Sequence, residues 1–243
     1  MNTVEPYTEI AQLYDSLLRH VDYQEWYEYL VFLMKRHIAR PRLILELGCG
    51  TGRFGAKFSN NGYAVFGIDK SLEMLRVARH RAFFNFRILC ADMRNFYVAK
   101  KFDFIFSVHD TMNYLLEETE IMKMFSCVRD AMSGDGIFMF DVTTEHNIYE
   151  NFDRKTARYR IQDSFVEWSN SYDSERKIVS SIITVRRKEA ISVEEHLQRI
   201  YSVDEMRRLL SAAGLALDGV YGDFTFLSPE DNAVMINFVA RRS

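Results

Sequence analysis

The stretch Glu46-Leu47-Gly48-Cys49-Gly50-Thr51-Gly52 sets three glycines at alternate positions directly after a short apolar run. Glycine admits positive φ and has no Cβ, so a ligand can lie against bare backbone at such a turn. Two acids follow at matching places: Asp69 closes the apolar run Tyr63–Ile68, and Asp92 closes Phe86–Cys90. An acid at the first place can accept hydrogen bonds from both hydroxyls of a ribose. An acid at the second can accept from an adenine amino group, with Met93 beside it and the polarizable Met74 available for the other ring face. Each residue also has a plainer reading. Asp69 and Asp92 could be turn or cap residues, Met74 core, and Glu46 a structural acid bonding backbone amides. Together they fall in order on three consecutive strand ends, where open α/β sheets bind ligands, and so they read as a nucleoside site. Position 53 is Arg53, which leaves the GxGxxG dinucleotide fingerprint incomplete.

The elements that must position these residues follow from the pattern. Leu43–Leu47 is almost purely apolar, as expected of a strand buried on both faces of a parallel sheet. The helix after it carries Phe54 and Phe58 one turn apart and stops at Asn61-Gly62. Ser71 can cap the next helix, with Leu72, Leu75 and Ala78 on one face. Phe102–Val108 is a fourth strand. Ile121, Met124, Phe125, Val128 and Met132 form a helical stripe closed by Gly134-Asp135-Gly136, and Ile137–Asp141 is a fifth strand. Strands alternating with helices predict a doubly wound α/β sheet. The first forty residues read as helical, with Leu13, Leu17 and Leu18 at helical spacing and an aromatic-rich helix from Tyr23 to Ile38. Period-two alternation from about Ala157 to Tyr201 predicts an antiparallel insertion. Ser202 and Glu205 make a capping box for a last helix ending at Gly214. Leu217–Tyr221 and Ala233–Arg241 should then pair as a hairpin at the sheet edge. The expected organisation is a sheet unit of residues 1–145 and 202–243, with 1–40 as its helical lid, and a cap of residues 146–201.

Composition narrows the function classes. The 243 residues are 48% hydrophobic and carry a formal net charge of −3, without the basic excess usual in nucleic-acid binders. The basic run Lys35, Arg36, His37, Arg40 and Arg42 is better read as the solvated end of a helix stopped by Pro41. Three scattered cysteines (Cys49, Cys90 and Cys127) form neither a disulfide framework nor a metal motif. An odd count, no signal-like leader and no apolar stretch of about 20 residues predict a soluble cytoplasmic protein without a membrane span or a metal.

These motifs resemble those of the class I S-adenosylmethionine-dependent methyltransferases, in particular small bacterial methyltransferase-domain enzymes whose relatives include amine methylators. Leu43–Gly52 resembles their glycine motif, Gly67-Ile68-Asp69 their ribose-binding acid, and Ala91-Asp92-Met93-Arg94 their adenine segment. Further likenesses are Tyr14-Asp15-Ser16-Leu17, Asp22-Tyr23, Asp110 through Leu115, and Glu194-Glu195-His196 with Gln198-Arg199 and Tyr201. The resemblance implies a Rossmann-like, mostly parallel seven-stranded sheet in the order 3-2-1-4-5-7-6 with an antiparallel seventh strand. It also implies S-adenosylmethionine as cofactor, S-adenosylhomocysteine as product, and a cap that helps choose the acceptor. The cofactor-binding candidates are then Tyr14, Glu46, Gly48, Cys49, Gly50, Gly52, Asp69, Lys70, Met74, Asp92, Met93, Val108 and Asn113, Tyr14 toward the methionine end.

Methyl transfer needs a nucleophile held in line with the methyl group, and a base only where the acceptor carries a proton. His109 and Asp110, just past strand four, are the candidates for that base, His109 because it titrates near neutrality. Each could equally serve the loop backbone. His196, Glu195 and Tyr201 could reach in from the cap. The loop has no Asn/Asp-Pro-Pro-aromatic element of base-amino methylation and no Pro-Cys pair of pyrimidine C5 chemistry, so a small-molecule acceptor is favoured. Tyr14, Tyr23, Trp26 and Asp110 could line a pocket for a cation, which makes an amine the expected class. The partner expected is that acceptor, with no nucleic acid and a monomer or homodimer. The competing readings are an NAD(P)-dependent oxidoreductase on a related fold and a cofactor-binding regulator without catalysis.

Overall fold

The computed structural model describes residues 2–188 and 190–243. In chain order the strands are β1 (Asn2–Val4), β2 (Leu43–Leu47), β3 (Ala64–Asp69), β4 (Phe86–Cys90), β5 (Phe102–Ser107), β6 (Met132–Thr143), β7 (Thr156–Ile161), β8 (Ser164–Asp173), β9 (Ile178–Arg187), β10 (Ala190–Arg199), β11 (Leu215–Gly222) and β12 (Met235–Arg242). The helices are α1 (Tyr14–Leu17), α2 (Tyr23–His37), α3 (Arg53–Asn60), α4 (Leu72–Ala78), α5 (Glu118–Ala131), α6 (Glu145–Asn147) and α7 (Val203–Ala212).

Seven strands form one sheet in the order β4-β3-β2-β5-β6-β12-β11. Numbered along the sheet unit, this is the expected 3-2-1-4-5-7-6. Strand β12 runs antiparallel to both β6 and β11, closing the edge as the expected hairpin. The strand order reverses at β2, which is flanked by β3 and β5. Ligands lie beyond the carboxyl ends of such a switch point. Leu45, Leu47, Ile105 and Phe138 face one core with α5 and α7. Ile44, Phe104 and Phe106 face another with α2 and α3. Coverage on both faces is why these strands are almost purely apolar.

The caps fall where the residue types direct. Asp22 Oδ1 accepts from the Gln24 and Glu25 amides at the start of α2, Ser71 Oγ from Met74 N at α4, and Ser202 Oγ from Glu205 N at α7. One reading of a buried stripe changes: Leu72 is exposed and Met74 takes the inward place beside Leu75 and Ala78.

A second sheet has the order β1-β10-β9-β8-β7. Its last four strands are antiparallel, from the alternation seen in sequence; Val179, Ser181, Ile183 and Val185 are the buried side of β9. The N-terminus departs from a wholly helical lid. Asn2–Val4 pairs parallel with β10, and α1 spans only Tyr14–Leu17. The reason is tertiary: Ile10, Leu13 and Leu17 pack on Val166, Ile183 and Val185, so the second sheet, not helical period, sets the path of this segment.

Candidate active site

The loop after β2 turns through three left-handed glycines, with φ of 67° at Gly48, 52° at Gly50 and 77° at Gly52. Their surroundings differ. A Cβ on Gly48 would lie 2.3 Å from Thr111 Cγ2, so this glycine lets the β5 loop pack closely. A Cβ on Gly50 would meet only Met74 Cε, at 3.5 Å, which leaves a bare shelf of backbone. The loop borders a cavity of about 720 Å³ that also takes in the ends of β3, β4 and β5 and the N-terminal segment.

Asp69 is oriented by two amides: Gly50 N donates to Oδ2 and Ser71 N to Oδ1, both at 2.8 Å. Each carboxylate oxygen has a further lone pair, an arrangement suited to a vicinal diol. Burial raises the Asp69 pKa, with the Ser71 and Gly50 amides pulling it back. Glu46 is deeper still. Its Oε2 is buried without a hydrogen-bond partner among the described residues, and burial pushes its pKa well above the usual carboxylate range. The Gly55 amide at the start of α3 pulls that pKa back, and Oε2 lies against Gly55.

Asp92 lines the cavity, and its carboxylate is bound by Arg94, through N at 2.9 Å and through the guanidinium. The Arg94 hydrogen bonds lower its pKa. Arg94 also pairs with Glu120, so Asp92 is braced from α5 through Arg94. Tyr14, Cys49, Lys70, Met74, Met93 and Val108 also border the cavity. Asn113 does not. It is fully buried, donating to the Arg199 carbonyl at 2.7 Å and accepting from Thr143 N at 3.1 Å, so both ends of its amide are spent holding the loop.

Among the base candidates, His109 lies on the cavity wall with Nε2 buried and unpartnered among the described residues. Its ring packs on Trp26 at 4.9 Å and Tyr23 at 5.9 Å. Asp110 is turned away: it accepts from Gln198 Nε2 at 2.9 Å and is not a wall residue. Both residues are left-handed, with φ of 69° and 50°. Asp141 at the tip of β6 holds that turn, accepting from His109 N at 2.8 Å and Asp110 N at 2.7 Å. The sequence reading noted Asp141 only as a strand end. A buried acid beside a strand-to-turn junction was the available sign.

The aromatic cation pocket is corrected in detail. Tyr14 and Tyr23 are on the wall, but the Tyr23 ring already carries the Arg53 guanidinium at 3.8 Å, and Trp26 is stacked on Phe224 at 4.1 Å behind the wall. Burial pushes the Tyr23 phenol up to about 12, against the pull of Arg53. The N-terminal segment is tied to the glycine loop by Asp15, which accepts from Thr51 Oγ1 at 2.8 Å and Arg81 at 2.5 Å. From the cap, Glu195 faces outward and accepts from Ser180 at 3.2 Å, and Tyr201 bonds the Leu115 carbonyl within the core. His196 is buried, and its partner is Glu194 rather than Glu195.

Residues 44–136 match the family described as methyltransferase domain. Along nearly its whole length the chain is similar to "Putative methyltransferase YqeM" of Bacillus subtilis (strain 168), 29% identical over 244 residues, covering 98% of this chain and 97% of the relative. It is also similar, at 28% identity over 115 residues, to the dTDP-3-amino-3,6-dideoxy-alpha-D-glucopyranose N,N-dimethyltransferase of Streptomyces fradiae, covering 46% of this chain and 45% of that one. In fold it is like a solved S-adenosylmethionine-dependent methyltransferase from Clostridium acetobutylicum ATCC 824, with TM-score 0.83 and 24% identity over 97% of this chain and 98% of the other. The oxidoreductase reading is thereby set aside. Motif, sheet order and relatives agree: residues 44–136 match a methyltransferase domain, and the chain has the fold of solved S-adenosylmethionine-dependent methyltransferases.

Proposed function

We propose that the chain methylates an amine nitrogen of a small molecule, in the cavity enclosed between the glycine loop and the N-terminal segment. The observation that carries this reading is the wall composition: the backbone shelf at Gly50 and the acids Glu46, Asp69 and Asp92 share one cavity with the tyrosines Tyr7, Tyr14, Tyr23 and Tyr114. The sequence likeness to an amino-sugar N,N-dimethyltransferase supports the acceptor class.

In this reading Gly50 leaves room for the adenosyl group, while Gly48 and Gly52 let the loop pack against Thr111 and against Phe86 and Ala78; Asp69 takes the ribose diol, and Asp92 with Met74 and Met93 brackets the adenine. Glu46 borders the cavity beside the glycine loop. Cys49, Lys70 and Val108 complete the wall, and Asn113 holds the loop from behind. The cofactor, when bound, supplies an electrophilic methyl on a sulfonium. The protein's part is to exclude water and to hold the acceptor nitrogen in line with that methyl, the positioning that provides most of the rate in such reactions. Of the two base candidates of the β5 loop only His109 borders the wall, and its Nε2, unpartnered among the described residues, is buried there. Asp110 acts through the loop and the cap.

Residues 1–145 and 202–243 form the cofactor-binding unit, and 146–201 the cap that shapes the acceptor side. No described helix is long and apolar enough to cross a membrane. The exposed thiol of Cys90 suits a reducing compartment such as the cytoplasm. Labelled S-adenosylmethionine offered with a panel of amines, amino sugars, carboxylates and phenols tests the proposal. Label is expected on one or more amines; label confined to oxygen or carbon acceptors would overturn the amine assignment.

A further inference from the structure

Behind the tyrosine wall runs a line of hydrogen bonds that neither the motifs nor the relatives assign. Tyr7 Oη donates to Tyr114 Oη at 2.6 Å, Tyr114 Oη meets His196 Nδ1 at 2.9 Å, and His196 Nε2 meets Glu194 Oε2 at 2.9 Å. The four residues come from the N-terminal segment, the turn after β5, and alternate positions of β10. His196 and Glu194 are both buried. The Glu194 carboxylate also accepts from the amides of Tyr7 (2.8 Å), Glu9 (2.5 Å) and Ile10 (3.1 Å).

The direction of the line follows from its buried end. A carboxylate surrounded by amide donors acts as an acceptor, so an imidazole carrying one proton places it on Nε2 and leaves Nδ1 to accept. Tyr114 then donates to His196, and Tyr7 donates to Tyr114. Every donor points toward Glu194, and the Tyr7 oxygen is left with lone pairs and no proton to give in any other direction. Tyr7 and Tyr114 both border the cavity. The open end therefore recognises a donor, such as an N–H, rather than a carbonyl or carboxylate oxygen. Burial holds both phenols well above their usual pKa, so they conduct protons as hydroxyls rather than standing as phenolates.

We infer that Tyr7, Tyr114, His196 and Glu194 form a proton relay that takes up the acceptor's proton, Tyr7 meeting the acceptor and His196 storing the charge. This deepens the amine reading and rests on it. As the acceptor N–H gives its proton to the Tyr7 oxygen, Tyr7 passes its own to Tyr114, and Tyr114 its own to His196 Nδ1. His196 ends as an imidazolium against the Glu194 carboxylate. The lone pair freed on nitrogen forms the new bond to the methyl carbon, while the electron pair of the broken C–S bond stays on sulfur. Tyr7 is the catalytic residue of the four. Glu194 is a positioning residue twice over, because it also fastens the segment that carries Tyr7.

The test uses the whole chain loaded with S-adenosylhomocysteine. Imidazole ¹⁵N spectra are expected to show His196 as the Nε2–H tautomer with a hydrogen-bonded Nδ1, and Tyr114→Phe is expected to move the Nδ1 signal to that of an unbonded acceptor. An Nδ1–H tautomer, or an Nδ1 signal indifferent to Tyr114→Phe, would overturn the relay. On the amine that the wild type methylates fastest, Tyr7→Phe and His196→Gln are each expected to lower kcat by about 10²–10⁴-fold. Acceptor KM and S-adenosylhomocysteine affinity should stay within about threefold, a split that loss of structure alone would not give. Wild-type kcat in both variants would overturn the relay. Failure of the wild type to methylate any amine would count against the amine reading itself, with the His196 tautomer still deciding the relay.

Discussion

Gly48 and Gly50 share a left-handed backbone and a motif, yet the structure predicts opposite consequences for the same substitution. At Gly50, alanine must adopt φ near 52°, which costs about 1–2 kcal/mol for a residue with a Cβ. Its methyl meets only Met74 Cε at an ordinary 3.5 Å, so no packing cost is added. In a chain of this size that corresponds to a Tm lowered by roughly 2–8 °C. The methyl stands on the shelf assigned to the cofactor, and forcing one extra carbon into a close contact costs about 1–3 kcal/mol, or roughly 5- to 150-fold in Kd. At Gly48 the added carbon lies 2.3 Å from Thr111 Cγ2, so overpacking adds to strain and the stability loss is about 2–5 kcal/mol. Thr111→Ser removes the obstructing methyl but keeps an oxygen for the Val108 carbonyl, now 2.9 Å from Thr111 Oγ1. Gly48→Ala with Thr111→Ser should therefore recover part of the loss. Thermal denaturation and calorimetric titration with S-adenosylhomocysteine on the three variants read both effects. Wild-type affinity in Gly50→Ala would refute the placement of the cofactor against this loop. No recovery in the Gly48/Thr111 pair would refute the clash.

Asp69 should make binding sensitive to pH. Its pKa is raised in the free protein, and a diol needs the ionised form as acceptor, so S-adenosylhomocysteine affinity is expected to fall as pH drops toward that raised value. Binding should release protons on the acid side, seen as a buffer-dependent calorimetric heat. Asp69→Asn should bind more weakly, by about 1–3 kcal/mol, and lose the pH dependence. Equal slopes in both proteins would remove Asp69 from the diol site. Asn113→Ala leaves the Arg199 carbonyl and the Thr143 amide without partners, at about 1–3 kcal/mol each. Urea denaturation should register that loss while S-adenosylhomocysteine affinity stays within twofold, and a selective affinity loss would return Asn113 to the site.

Much of the sheet unit could be read from residue order, because strands buried on both faces must be apolar and must end where glycine or acid begins. Leu43–Leu47 into Gly48 is the plainest instance. That Asp69 and Asp92 reach the cavity wall was legible for the same reason, since a strand end fixes where each sits. What could not be read depends on chain segments far apart. Asn2–Val4 has no period of its own and becomes a strand only because β10 offers an edge. Arg53 occupies the Tyr23 face, and Gln198 occupies Asp110, through contacts that spacing does not encode. In Glu194-Glu195-His196 the alternation was visible but its phase was not. Burial puts Glu194 and His196 inward together and turns Glu195 out. That phase is set by the lid residues packed against the cap, and it shifts the proton-handling assignment from the β5 loop toward β10.

The most direct measurement is a crystal structure grown with S-adenosylhomocysteine. The adenosyl group is expected over Gly50 with its ribose hydroxyls on the Asp69 carboxylate. Density for that ligand outside the crevice, or a ribose turned away from Asp69, would contradict the account.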